Sequence, residues 1–334
     1  MTPTKVVLCS LLLLLPTIVV SQQEAPEEII VVGKQPGPPL WKVTNGEHVL
    51  WIFGSISPIP EDMIWESQKV ATVIAQSQEY LSGPSVNASP SMRLLLNPIN
   101  ILRAVRLAKR LSRNTDEATL EQVLPADLYQ RFAALKSQYF PDEEDIELLR
   151  PIAAAGTMVG LIQQEAGLTS NGDVMKEIRK LVKRNKKIKK TEIELEQKIE
   201  GNYRSLANRA ETFMDELSAE LERACFASQL ERMEKDLDGM KRRANAWAAG
   251  YVDELRSIHL PAEENVCERL FLESTEAGLM LTLTQQADAL WLDAAENALK
   301  TNQSTFAVLG MNDLLSDDGL FAELKTRGYE VVEP

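Results

Sequence analysis

Two apolar stretches near opposite ends of the chain decide the fold. Residues 48–57 read HVLWIFGSIS, and residues 304–313 read STFAVLGMND. Each contains an apolar run of strand length, then a glycine and three loop residues, which end at Ser57 and Asp313. Short, continuously apolar runs are typical of strands that are buried on both faces of a parallel sheet. If the two strands are neighbours, Ser57 and Asp313 face one cleft.

The loops after these two strands are where we expect a ligand. In open α/β sheets, ligands bind outside the carboxyl ends of the strands. The glycines that close the two runs are Gly54 and Gly310, and both precede loops that lead towards helices. We therefore take Gly54, Ser57, Gly310 and Asp313 as candidates for the lining of a cleft.

The remaining pattern predicts an α/β fold that is rich in helix. Residues 41–44 and 48–53 flank Asn45-Gly46, which is a hairpin signal. Shorter strands are predicted at 80–81, 188–193 and 329–332. We expect a central sheet, built from the N- and C-terminal strands and surrounded by many helices. The helices are predicted at 60–77, 92–112, 125–139, 146–165, 173–184, 203–240, 279–299 and 317–325.

The N-terminus predicts an export signal. Lys5 gives a short basic region, and residues 6–20 are apolar and uncharged. We expect the protein to be exported to the periplasm or the extracellular space. An uncleaved anchor is the alternative, although a span needs about 20 apolar residues. No later segment is long and apolar enough to span a membrane. The chain then divides into a signal peptide (1–21), an exposed lead-in (22–38) and one domain (39–334).

Export leaves two cysteines, because Cys9 lies inside the predicted signal. In an oxidising compartment two remaining thiols usually pair. We therefore predict a disulfide between Cys225 and Cys267, and the chain-entropy relation gives it about 4 kcal/mol of stabilisation. The alternative is two separate buried thiols.

Composition excludes several classes of function. Acidic residues number 49 and basic residues 36, so the net charge is −13 and a general attraction to nucleic acid or to an anionic membrane is disfavoured. Three cysteines are too few for a Cys-rich zinc module. A basic run with eight Lys and Arg side chains, Arg179 to Lys190, is a local exception. We interpret it as a solvated helix end and loop, and the alternative is a surface for anionic lipid or an acidic partner.

The chain offers few side chains for a site that needs imidazole, since it contains two histidines. His48 is predicted to be a solvent-facing residue beside the hairpin turn, and His259 to lie at a helix end. They belong to unrelated elements and lack the H-E-x-x-H spacing of zinc proteases. A Ser57 nucleophile would need a base, and the intervening strand holds His48 about 17 Å away. Serine hydrolysis is therefore not predicted.

Several segments, taken in order, resemble those of the TraB/GumN family, which includes the animal Tiki proteases. The resemblance covers residues 39–334. The segments are PLWKV at 39–43, the hairpin with its Gly-x-x-x loop, LLRP at 148–151, EAGL at 165–168, TEIELEQ at 191–197, WAAG at 247–250 and the run 306–332, which includes RGY.

The resemblance implies an α/β fold and metal-dependent peptide hydrolysis that rests on two Gly-x-x-His motifs with acidic and Arg residues. In such a site imidazoles and carboxylates hold a divalent metal, which lowers the pKa of bound water. In this chain Ser57 stands at the first histidine position and Asp313 at the second. The acidic position after the second strand falls near Ser82, and the family's Arg-Asn pair falls at Ala287-Asp288.

These departures argue against the family's hydrolysis. Two oxygen ligands do not replace two imidazoles for zinc, and of the family's polar set Glu192 alone is retained. We predict an exported binding or regulatory module with no metal and no catalytic residue. Its ligand is a small molecule, peptide or protein, held in a cleft formed by Gly54, Ser57, Glu192, Gly310 and Asp313. The alternative is a peptidase or hydrolase with a rearranged divalent metal site, to which Asp313 and Glu192 contribute carboxylates.

Overall fold

A computed structural model of the chain describes residues 37–90, 96–169, 173–199, 201–258, 266–267 and 275–334. The predicted signal peptide, most of the lead-in and His259 lie outside the described residues. At the end of the lead-in, residues 37–38 are buried, and the Gly37 amide donates to the Ala248 carbonyl at 2.8 Å. The packed domain therefore includes these two residues.

Strands and groups of helices are interspersed along the chain. Strands β1 and β2 form the predicted hairpin, with a two-residue turn at Gly46-Glu47 because Asn45 pairs with His48. In chain order the strands are β1 (Leu40–Asn45), β2 (His48–Ser55), β3 (Ile59–Pro60), β4 (Glu79–Leu81), β5 (Ser85–Pro90), β6 (Leu168–Thr169), β7 (Lys189–Thr191), β8 (Glu194–Ile199), β9 (Ser304–Gly310) and β10 (Glu330–Val332).

The centre of the fold is a six-stranded mixed sheet in the order β10-β1-β2-β9-β4-β7. Strand β1 is antiparallel to both of its neighbours, whereas β2, β9, β4 and β7 run parallel to one another. The register of β2 and β9 runs from Val49 opposite Ser304 to Ser55 opposite Gly310. The predicted α/β fold is confirmed, and the two apolar stretches are neighbours.

Helices cover the sheet and form a separate lobe. The prediction of Asp173–Arg184 is confirmed at both ends, and most of the others are displaced by a few residues. The helices are α1 (Gln68–Gln76), α2 (Pro98–Leu111), α3 (Leu120–Val123), α4 (Ala126–Tyr139), α5 (Pro151–Glu165), α6 (Asp173–Arg184), α7 (Tyr203–Glu216), α8 (Ala219–Ala249), α9 (Val252–Ile258), α10 (Thr275–Thr301), α11 (Met311–Leu315) and α12 (Leu320–Thr326).

Two of the predicted helices are wrong in their bounds. The helix expected from Pro60 begins at Gln68, because Ile59 and Pro60 form strand β3 against β6. The helix expected from residue 203 to 240 is two helices, α7 and α8. The second starts after Ser218, whose hydroxyl accepts the Leu221 amide at 3.1 Å and so caps the new helix.

Two hydrophobic cores hold the domain together. The first surrounds the sheet and contains the fully buried Trp41, Trp247 and Trp291. The second lies among α4, α5 and α8, where Phe132 packs edge-on against Phe226 with ring centroids 5.6 Å apart. The sheet therefore rests on a core of its own, separate from the helical lobe.

Two cross-links reach helix α8. The predicted pair Cys225 and Cys267 is confirmed as a disulfide, with Cα atoms 4.7 Å apart. Three residues earlier in the helix, the Glu222 carboxylate accepts hydrogen bonds from the Arg150 guanidinium, which also donates to the Met214 carbonyl at 3.1 Å. Glu222 is buried, so this pair fixes the start of α5 against α8.

Candidate functional site

The carboxyl ends of β2 and β9 leave the sheet together. Ser55 lies opposite Gly310, and its hydroxyl donates to the Leu309 carbonyl at 3.1 Å. Ser57 follows two residues after Ser55 and is exposed, and Asp313 follows three residues after Gly310. The two predicted cleft residues therefore follow neighbouring strand ends at the same edge of the sheet.

Gly54 lies in a closely packed part of this edge. A Cβ atom at this position would lie 2.8 Å from the side-chain ends of both Leu314 and Met311, so a larger residue would force these side chains to move. The Gly54 carbonyl accepts the Trp247 indole N–H at 2.7 Å inside the core. The end of β2 is thus held between helix α11 on one side and the end of α8 on the other.

Asp313 lies on a helix rather than on the predicted loop. Gly310 is the N-cap of α11, and Asp313 is the third residue of that helix. The Asp313 carboxylate accepts a hydrogen bond from the Gly310 amide. This is the reciprocal half of a capping box, in which an acidic side chain reaches back to the N-cap amide. The contact fixes the Asp313 side chain at the end of β9.

The electrostatics of Asp313 set it apart from a surface carboxylate. Burial raises its pKa above the ordinary value of 3.8, the nearby Asp288 carboxylate raises it further, and the Gly310 amide opposes the rise. Burial also raises the pKa of Asp288, which lies on α10. Two half-buried carboxyls therefore lie close enough for Asp288 to raise the pKa of Asp313, and the described residues supply no ion pair to either.

Glu192 has a different set of neighbours. It follows β7 and is exposed. Burial raises the pKa of Tyr80 on β4, while the Arg179 guanidinium lowers it and the Glu192 carboxylate raises it. The predicted site thus resolves into two groups, Asp313 with Asp288 and Glu192 with Tyr80 and Arg179. No hydrogen bond or ion pair among the described residues joins the two groups.

Ser82, at the family's acidic position, has a structural role. Its hydroxyl accepts the Ile193 amide at 2.8 Å and donates to the Gly83 carbonyl at 3.1 Å. Its own amide donates to the Thr191 carbonyl at 3.0 Å. Ser82 therefore joins the ends of β4 and β7 and leaves no hydroxyl hydrogen for a ligand.

Comparison with protein families decides the identity of the domain. A model of the TraB/PrgY/gumN family matches residues 39–333. The chain belongs to the TraB/PrgY/gumN family. The resemblance seen in the sequence is thereby confirmed. No curated protein and no solved structure matches the chain.

The histidine that the structure describes is far from this edge. His48 begins β2, at the opposite end of the strand from Ser57, and its Nδ1 lies 2.7 Å from the Asn302 carbonyl oxygen. It is half-buried rather than solvent-facing, because that hydrogen bond draws the ring against the end of α10. His48 therefore bridges the hairpin to α10.

The side chains at the TraB/PrgY/gumN motif positions do not fit the metal that the resemblance implies. Ser57 offers a neutral hydroxyl and Asp313 a carboxyl that burial disfavours as an anion. A borderline metal such as zinc prefers imidazole and thiolate to this oxygen set. Over the described part of the chain, no group of three or more His, Cys, Asp and Glu side chains is arranged to hold a metal ion.

Sequence reasoning identified Asp313 as a cleft residue but did not recognise its partner. Asp288 was assigned to a position where the TraB/PrgY/gumN family has a different residue, and its proximity to Asp313 was not predicted. A signal was present in the sequence. Asp288 lies next to Ala287 and three residues before Trp291, both fully buried, so helical spacing turns part of its side chain towards the core.

Proposed function

We propose that this TraB/PrgY/gumN domain is a binding module without the peptidase chemistry of the Gly-x-x-His members. The observation that carries the proposal is the pair Asp288 and Asp313 at the carboxyl edge of the parallel strands. The edge is where α/β sheets bind ligands. No described imidazole lies there.

The chemistry of the pair favours a ligand with a positive or hydrogen-bond-donating group. Burial raises the pKa of each carboxyl, and the Asp288 carboxylate raises the pKa of Asp313 further. An ammonium or guanidinium group between them would offset both effects, because opposite charge favours the ionised form of an acid. A peptide or small molecule with a basic group is therefore the class of ligand that suits this edge.

Two experiments test the proposal on the purified protein. In the first, a peptide library is incubated with the protein in the presence of zinc or manganese, and products are identified by mass spectrometry. We expect no cleavage. Metal-stimulated cleavage that disappears in Asp313→Asn would overturn the proposal and favour a hydrolase with a rearranged site.

In the second experiment, a displayed library of peptides with Lys and Arg at varied positions is selected on the protein. Binders are then compared between wild type, Asp313→Asn and Asp288→Asn. Asp317→Asn is the matched control, since Asp317 is exposed and close in sequence. We expect the two cleft variants to weaken binding roughly tenfold each, the effect of removing one charged hydrogen bond. Equal weakening in the control contradicts the assignment of the site.

We also propose that the protein is exported to the periplasm or the extracellular space. Support comes from the disulfide between Cys225 and Cys267, since such bonds persist in oxidising compartments. Among the described residues, no helix is long and apolar enough to cross a membrane. Titration of the denatured, unreduced protein from its native host is expected to detect neither of these two thiols. Two free thiols at these positions would count against export.

A further inference from the structure

Helix α2 differs from the other long helices in having no buried residue. All of its residues are described, and none is buried. Ten large apolar side chains are strongly exposed in the described part of the chain, and five of them lie between residues 96 and 105. The five are Leu96, Ile99, Ile101, Leu102 and Val105, exposed between 47% and 73%. Clusters of this kind mark interaction surfaces more often than scattered single residues do.

The helix is well formed although it buries little. Asn97 caps it by accepting the Ile99 amide at 3.0 Å, and Pro98 occupies the first helical position. Lys109 and Arg110 in the last turn suit the negative end of the helix dipole. The half-buried side is turned towards α7, where Arg110 pairs with Glu211. The apolar side therefore stays outward on a stable helix.

Basic residues border the apolar side of α2. Ile101, Leu102 and Val105 are adjacent on the helix surface, and Lys109 lies one turn beyond Val105. Arg103, Arg106 and Arg110 recur at spacings of three and four and form a basic stripe beside them. The helix carries four basic residues and no acidic one, in a chain with net charge −13. No described residue forms an ion pair with Arg103, Arg106 or Lys109.

We infer that the outer face of α2, defined as Ile101, Leu102 and Val105 with the basic residues beside them, docks on an anionic lipid surface. An apolar face with Lys and Arg along its border is the pattern of helices that lie in the membrane interface. Charge complementarity selects this occupant. A second copy of the chain would bring two basic stripes together, and the apolar residues 6–20 carry no negative charge to meet them.

Vesicle binding tests the inference. The purified protein is sedimented with vesicles of phosphatidylcholine mixed with phosphatidylglycerol, and with vesicles of phosphatidylcholine alone, at low and high salt. We expect binding to the mixed vesicles that weakens as salt is added. Arg103→Gln, Arg106→Gln and Lys109→Gln together should weaken it roughly a hundredfold, since each basic residue near the surface contributes roughly fivefold. Leu102→Ser with Val105→Ser should weaken it roughly tenfold or more.

The matched control removes the same charge elsewhere. Lys183, Lys186 and Lys187 are exposed residues of the other basic run, and the structure gives their side chains no ion pair among the described residues. Changing these three lysines to Gln should leave vesicle binding unchanged. An equal loss in this control would show a general charge effect and overturn the inference, as would the absence of any binding by the wild-type protein.

Hydrogen exchange locates the contact. Mixed vesicles should slow amide exchange in the peptide that covers residues 98–111 and leave the control run unchanged. Vesicle binding without protection of 98–111 would assign the contact to another segment, such as residues 6–20, and overturn the inference. Self-association of the wild-type protein that is lost in Leu102→Ser with Val105→Ser would identify a second copy of the chain as the occupant instead.

Discussion

A buried carboxyl group lies at one end of the parallel strands and a half-buried one at the other, and their surroundings differ. At the amino end, Glu79 of β4 is buried and accepts hydrogen bonds from Lys189 and Asn302, at 2.8 and 2.7 Å, and from the Thr191 hydroxyl. Burial alone would raise its pKa, but these donors outweigh burial and lower it below the ordinary 4.5. At the carboxyl end, Asp313 has one amide donor and a second acid beside it, and its pKa is raised.

The difference separates a structural acid from one that is available for binding. The donors of Glu79 come from β7 and from the loop before β9, so its ionised form ties three strands together. The surroundings of Asp313 disfavour its ionised form and raise its pKa, and groups with shifted pKa values concentrate at functional sites, where stability is given up for chemistry. The sheet is therefore stabilised by an ionised acid at one end, whereas the acid at the other end is disfavoured as an anion.

The largest effect is expected at the stabilised end. Glu79→Ala should lower the free energy of unfolding by about 2 kcal/mol, because the half-buried Thr191 and Asn302 donors lose their shared acceptor, although Asn302 still donates to the Thr305 hydroxyl. Lys189 contributes little to this figure, since its side chain is 64% exposed. Urea unfolding measures the change, and Glu47→Ala in the exposed hairpin turn is the control. A loss no greater than in the control would contradict the structural role.

Replacing Asp313 should change the stability of the fold in the opposite direction from replacing Glu79. The pKa of Asp313 in the folded state lies above its ordinary value of 3.8, so the folded state binds the proton more tightly than the unfolded state does. Stability therefore falls as pH rises from 3.8 through the folded pKa. The wild type loses this stability once Asp313 ionises in the folded state. Asp313→Asn should therefore be more stable at neutral pH, by on the order of 1 kcal/mol, and the gain should vanish in acid.

The Glu79 variant provides the contrast to Asp313→Asn. The lowered pKa of Glu79 means that its contribution is present above pH 4.5 and is lost as pH falls through the folded pKa. Urea unfolding at a series of pH values compares Glu79→Ala, Asp313→Asn and the wild type. If Asp313→Asn destabilises the protein at neutral pH, Asp313 is a structural acid like Glu79 and the contrast between the two ends fails.

A smaller effect, on the pKa of Asp313, tests whether Asp288 and Asp313 interact. Asp288→Asn removes the repulsion that Asp288 exerts on Asp313, so the pKa of Asp313 should move down towards its ordinary value without reaching it, since burial remains. Side-chain carboxyl chemical shifts followed by NMR through an acid titration report the pKa. Asp293→Asn, an exposed position on the same helix, should leave the titration of Asp313 unchanged. An unchanged titration in Asp288→Asn would mean that the two acids do not interact.

The sequence allowed the sheet to be predicted, because its signals are local. The continuous apolar runs of β2 and β9 and the Asn45-Gly46 hairpin each lie within ten residues, and the order of segments indicated the family. The paired strands β5 and β8 were missed, since sequences such as SVNASP show no apolar alternation. Helix α11 was missed because five residues are too few to show a helical period.

The candidate site was less predictable, because it depends on tertiary packing. Asp313 was placed correctly after β9, but its burial and its neighbour Asp288 follow from how α10 and α11 approach the edge of the sheet. Glu192 was grouped with Asp313, and the structure instead gives it Tyr80 and Arg179 as neighbours. Spacing along the chain indicates which loops leave one edge, and it does not indicate which side chains meet there.

The smallest effect is expected at Ser57, the residue at the first histidine position of the family motif. Its side chain is exposed and no hydrogen bond to another described residue involves it. Ser57→Ala should therefore change the free energy of unfolding by less than about 0.5 kcal/mol, whereas the same change at Ser82, whose hydroxyl joins two strand ends, should lower it by about 1 kcal/mol. Urea unfolding of the two variants side by side measures the difference. If Ser57→Ala is as costly as Ser82→Ala, Ser57 belongs to the scaffold of the sheet edge. It would then be held like Glu79 rather than left available like Asp313.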